Sequence, residues 1–158
     1  MSNLTFENVV QFLWREAEIL DTQSYDEWLE LWDKEGLYII PIDQTAEDYA
    51  DTLNYAYDDD KMRRKRVVRL QSSFSQSALT AARTVRTTSR FVVVDHSENE
   101  MTLRAAQHLV EYRRDIIRIL AADVDIVVIN TNDGLKLKKK IVKLINGEEA
   151  VSAMGFLL

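Results

Sequence analysis

The sequence predicts an α+β fold: three N-terminal helices packed on a strongly curved antiparallel sheet, together a cone. Three observations carry this reading. Apolar residues recur at helical spacing in the first third, long β-branched runs fill the rest, and one proline with four glycines leaves little room for linkers. The longest run, RTVRTTSRFVVVDHSENEMTLRAAQHLVEYRR at 83–114, holds two strand-forming arms, 84–94 and 101–112, flanking a polar turn. Arms of that length twist strongly, which suits a sheet wrapped around a helical filling.

Bulk properties narrow the class. The 158 residues predict one domain, 1–158, with 46% hydrophobic and 29% charged residues in the ordinary soluble range. No apolar run nears the roughly 20 residues that span a bilayer, so no membrane is expected. The start MSNLTFENVV has neither a basic region nor a cleavage site, so the expected location is cytoplasmic. A net charge of −6 argues against nucleic acid as partner. Cysteine is absent, which removes disulfides, thiolate nucleophiles and cysteine-held metals together.

Taken in order, 5–21 reads as the first helix, with Phe6, Val9, Val10, Leu13, Ala17 and Leu20 on one stripe. Ser24 with Glu27 forms a capping-box pattern that opens a second helix, whose Tyr25, Trp28, Leu29 and Trp32 share a core face and which Gly36 ends. Residues 37–40 make a short strand stopped by Pro41. The polar segment 45–65 is helix-compatible, with Tyr49, Leu53 and Tyr57 inward; Arg66-Val67-Val68-Arg69-Leu70 starts a strand, and 71–82 is an irregular connection. After the long hairpin, 116–129 and 135–145 read as strands joined by an Asp-Gly turn, the first apolar on both faces. On the second, Leu135, Leu137, Lys139, Ile141, Lys143 and Ile145 share one side, and the run Lys138-Lys139-Lys140 alternates sides as edge lysines do. The apolar end, Met154-Gly155-Phe156-Leu157-Leu158, predicts docking into this core or a neighbour's. Asp58-Asp59-Asp60 has hard-cation chemistry, but its spacing matches no calcium loop and a basic run follows, so no metal is expected.

These stretches together resemble the β (small) subunit of bacterial aromatic-ring-hydroxylating dioxygenases, within the SnoaL-like or nuclear-transport-factor-2-like (cystatin-like) superfamily. The resemblance runs through FLWREAEILD at 12–21, WLEL at 28–31, YIIP at 38–41, YDD at 57–59 and RVVRL at 66–70, then Arg83-Thr84, Arg86, Ser89, Val93, His108 and Tyr112-Arg113. Departures are Arg90 where the family often has Asn, Ala81-Ala82 in place of a Pro-rich approach, and an unusually acidic 45–57. The resemblance implies a structural subunit in aromatic hydrocarbon catabolism, part of an oxidoreductase, with no catalytic residue and no cofactor of its own. It implies a homotrimer set against an α-subunit trimer that carries the iron–sulfur cluster and the iron.

The residues agree with that division of labour. Iron–sulfur ligation needs Cys, or Cys with His, and an iron triad needs two His and a carboxylate; His96 and His108 are placed too far apart along the hairpin to share a metal. A stand-alone dehydratase, isomerase or cyclase is the alternative, with His108 and Tyr38 or Tyr112 plus Asp43 or Asp123 as an acid–base set in a pocket. Whether the odd face of 103–109 or the even face of 104–110, with His108, lines the interior stays open. A non-catalytic ligand-binding scaffold is a third reading. Arg66, Arg69, Arg83 and Arg86 are the expected interface arginines, ordering 71–82 and the α contact by bidentate pairing.

Overall fold

Thr5 caps the first helix: its hydroxyl accepts the Asn8 amide at 3.2 Å, and α1 runs Phe6–Asp21. The computed structural model describes residues 3–43, 45–76, 82–145 and 156–158. The buried stripe of α1 holds Val9, Val10, Leu13, Ala17, Ile19 and Leu20, with Glu16 inserted among them. Trp14 bridges to the sheet, its indole N–H donating to the Thr88 carbonyl at 2.9 Å. Helix α2 (Tyr25–Glu30) follows, but the capping box does not form. Ser24 Oγ lies against Thr22 Oγ1 at 3.1 Å, and Glu27 pairs with Arg15.

The strands are β1 (Trp32–Pro41), β2 (Asn54–Asp58), β3 (Arg83–His96), β4 (Glu100–Arg113), β5 (Ile116–Thr131) and β6 (Gly134–Leu144), in one sheet of order β2-β1-β6-β5-β4-β3. The β3–β4 hairpin lies where the β-branched runs place it. The sheet is mixed, which corrects the all-antiparallel expectation: β1 runs parallel to β6, and the other four pairs are antiparallel. Consecutive hairpins fix the direction of β6, and β1 fills the place beside it in the direction that the exit from α2 sets. Trp32 begins β1, so the glycine at 36 ends no helix. Gly36 is buried where β1 crosses β6, and a Cβ there would stand 2.7 Å from the Trp32 ring and 2.9 Å from the Leu137 carbonyl.

The segment between β1 and β3 differs most from expectation. Of the helix expected over 45–65, only 60–65 is helical, as the start of a later helix; before it stand a 3-10 turn (Tyr49–Asp51) and β2. Arg66 to Leu70, read as a strand, lies inside helix α3 (Asp60–Gln76), which also takes up 71–76 of the supposed irregular connection; 77–81 lies outside the described residues. Val67-Val68 favours strand locally, but contacts override it. Asp59 accepts the Met62 amide at 2.9 Å to start the helix, and Val67 is buried while Val68 faces out. The three helices are thus interleaved with β1 and β2.

All three helices pack on one face of the sheet, where the core gathers. On β4 the odd residues, Met101, Leu103, Ala105, Gln107, Leu109 and Glu111, are buried and the even ones point outward, which settles the face left open above. On β6 the expected parity breaks at a bulge opposite Val127 and Val128. Leu137 therefore shares the inner face with Lys140, Val142 and Leu144. Since β6 is an interior strand, Lys140 is no edge lysine. Phe156, Leu157 and Leu158 are buried in the same core.

Candidate functional site

A polar network crosses the apolar core. Lys140 Nζ donates to both oxygens of Glu16 at 2.9 Å and to the Leu158 main-chain O at 2.9 Å. Trp28 Nε1 donates to Glu16 Oε2 at 2.9 Å, and the Leu158 amide donates to Tyr38 Oη at 3.0 Å. Beside it, Arg86 donates from Nε to Asp21 Oδ1 at 2.8 Å and from Nη1 to the Leu157 carbonyl at 2.8 Å. Asp21 also accepts the Arg86 amide and the Thr84 hydroxyl, each at 2.9 Å. Burial pulls the Lys140 ammonium below its usual range, with Glu16 opposing. Burial likewise pushes the Tyr38 phenol well above the ordinary tyrosine value, so it stays a neutral donor–acceptor. Trp28, Trp32 and Tyr38 close the wall, edge to face, with centroids 5.4 to 6.0 Å apart.

A second buried cation ties α3 to β1. Arg63 stacks on Trp32 at 4.3 Å and donates to the carbonyls of Gly36, Asp58 and Asp33, the last two at 3.2 Å. The aspartate run is spent nearby. Asp58 receives both arms of Arg66 at 2.5 and 3.0 Å, Asp59 caps α3, and Asp60 pairs with Arg64. Among the described residues no group of three acidic or imidazole side chains is placed to hold a metal ion.

The sequence-derived pocket candidates are not brought together. Tyr38 is in the core; His108 and Tyr112 are exposed on the outer face of β4, four residues or about 13 Å apart by strand rise. Tyr112 donates instead to Asp115 at 2.7 Å. Asp43 is exposed and accepts from Thr45, whose hydroxyl bond draws that carboxyl below its usual range; Asp123 pairs with Arg90 at 2.5 Å. His96 pairs with Met101 and His108 with Thr87 in the hairpin register. Seven residues of β4, about 23 Å, thus separate the two histidines.

The four arginines expected at an interface divide two and two. Arg66 and Arg86 pair inside the chain, Arg66 bidentately with Asp58 and Arg86 through side-chain Nε alone with Asp21. Arg69 and Arg83 are exposed. Arg69 lines an open groove of about 560 Å³ with Met62, Arg64, Lys65 and Val68 on the solvent side of α3. Arg83 sits in register with Tyr112 and Ile117 on the outer sheet face, beside a second row of Val85, Val110 and Ile119. These rows form an apolar strip across three strands, with Val85, Ile117 and Ile119 exposed by 69, 66 and 62%. Sequence reasoning missed Glu16, Asp21 and Lys140. For Glu16 a signal exists, since it falls three residues after Leu13 and three before Ile19 on the buried stripe; for Lys140 the β6 bulge erases it.

An α+β protein with a filled interior and open apolar rows is the class that this geometry defines. The family model of the ring hydroxylating beta subunit matches residues 15–148, and the chain belongs to that family. It is similar to the 2-halobenzoate 1,2-dioxygenase small subunit of Burkholderia cepacia, 28% identical over 144 residues, covering 88% of this chain and 87% of that relative. Among solved structures it superposes on the β subunit of benzoate 1,2-dioxygenase from Burkholderia mallei with a TM-score of 0.85, covering 99% and 100% of the two chains at 19% identity. An NTF2-like protein with a cystatin-like fold from Novosphingobium aromaticivorans superposes at a TM-score of 0.64, covering 93% and 84% at 11% identity. At these identities the structural matches speak for the fold alone.

Proposed function

We propose that this chain is the structural small subunit of a cytoplasmic ring-hydroxylating dioxygenase acting in aromatic catabolism. In this reading it forms a homotrimer, its curved sheet and helices make a cone, and an α subunit carries the Rieske cluster, the iron and the chemistry. The observation that carries it is the contrast between the two faces of the sheet. The inner face is packed with side chains and with residues 156–158, while the outer face presents in-register apolar rows that water covers poorly. Arg69 and Arg83 border the two open surfaces and are the interface arginines of this reading. The donor set supports placing the redox centres elsewhere, since the chain has no Cys and its two histidines are far apart.

The test is reconstitution. The purified chain supplied with an electron donor turns over no aromatic substrate, and addition of its α subunit restores hydroxylation. His108→Ala in the reconstituted enzyme changes that rate less than about tenfold, or 1.4 kcal/mol. A larger loss with assembly intact would show His108 in the chemistry and return the stand-alone acid–base reading.

A further inference from the structure

We infer that the inner face of the sheet carries a peptide-binding cleft, occupied in this structure by the chain's own residues 156–158. Three consecutive main-chain groups of that segment are read by three side chains from three strands. Arg86 of β3 donates to the Leu157 carbonyl at 2.8 Å, Tyr38 of β1 accepts the Leu158 amide at 3.0 Å, and Lys140 of β6 donates to the Leu158 main-chain O at 2.9 Å. Among the described residues the segment makes no ladder bond to the sheet. It lies against the sheet as a ligand does, its polar groups held by side chains and its apolar ones buried.

The wall is organised without it. Asp21 fixes Arg86, Glu16 fixes Lys140, and Trp28 fixes Glu16, so the reading groups keep their positions when the segment is absent. Two cations facing two carboxylates make the wall neutral overall, which suits uncharged peptide groups. Among the described residues Arg86 Nη2 and Tyr25 Oη are buried with no hydrogen-bond partner, two further polar atoms on the same wall. The ligand class is therefore a short apolar peptide recognised at successive main-chain groups, with bulky side chains such as Phe-Leu-Leu filling the apolar part.

A full-length variant, Phe156→Gly with Leu157→Gly and Leu158→Gly, empties the apolar part of the cleft while retaining the whole chain. The probe is acetyl-Met-Gly-Phe-Leu-Leu-amide, with a scrambled peptide beside it. The triple variant binds the probe saturably, with a rise in melting temperature, and the wild type, already occupied, does not. Tyr38→Phe on the triple background keeps the ring and removes the acceptor, weakening the probe by about fivefold. If the triple variant is unfolded alone, refolding in the presence of the probe restores its circular dichroism, and the scrambled peptide does not. A folded variant that ignores the probe, an unfolded one that it fails to rescue, or affinity untouched by Tyr38→Phe overturns the inference.

Discussion

Lys140→Met removes one half of the buried ion pair and leaves the other in place. Lys140 is 2% exposed, and three of its hydrogen bonds are lost, two to Glu16 and one to the Leu158 main-chain O. Among the described residues Glu16 then keeps Trp28 Nε1 as its remaining partner, and its carboxylate is left buried without a countercharge. Removing one partner of such a pair costs about 3–5 kcal/mol. Replacing both, Glu16→Leu with Lys140→Met, abolishes the uncompensated charge and should return the protein to within about 2 kcal/mol of wild type. Urea unfolding reads this directly. With a slope near 2 kcal/mol per molar, the single variant should lose roughly 2 M in midpoint at unchanged slope. A single-variant loss under about 1 kcal/mol, or a double variant as unstable as the sum of the singles, would refute the reasoning, because either means that water reaches the pair.

Three further perturbations follow from local geometry. Arg90 sits at a positive φ of 56° beside a bulge, where Asn is tolerated better than Arg. Its exposed pair with Asp123 contributes little, so Arg90→Asn should raise stability by about 0.5 kcal/mol in thermal unfolding. Gly36→Ala drives a methyl into Trp32 and the Leu137 carbonyl, and should cost about 1–3 kcal/mol by chemical denaturation. Tyr38 gives a pH dependence of definite sign. Its folded pKa lies above the ordinary 10.0, so its contribution is complete below pH 10 and is lost as alkali ionises the unfolded chain. Lys140, depressed by burial, acts in the opposite direction towards 10.5. The Tyr38 effect is therefore read as the difference between wild type and Tyr38→Phe, a difference that should shrink from pH 9 to pH 11.

How much was legible in the chain depended on whether local pattern and tertiary contact agreed. Helix α1 and the β3–β4 hairpin were readable because long periodic runs match their environment on one face. Helix α3 was not, since Arg63 and Arg66 turn a polar, valine-bearing stretch into a helix by pairing with partners outside it. The parallel pairing of β1 with β6 is long-range and leaves no mark in either strand. Arg66 and Arg86 were expected at an interface by bidentate pairing; that they pair internally, with Asp58 and Asp21, became visible only in three dimensions. Alternation on β4 left two faces open until the helices chose one.

Native mass spectrometry of the chain alone and with its α subunit shows whether the outer faces of this small subunit are covered by partners. The expected result is a trimer of about 55 kDa, three times the 18.3 kDa chain, and an equimolar complex of three copies of each subunit once α is added. Charge reversal at Arg69 and Arg83 should weaken that complex while the circular dichroism stays native. A stable 18.3 kDa monomer that ignores the α subunit would contradict it.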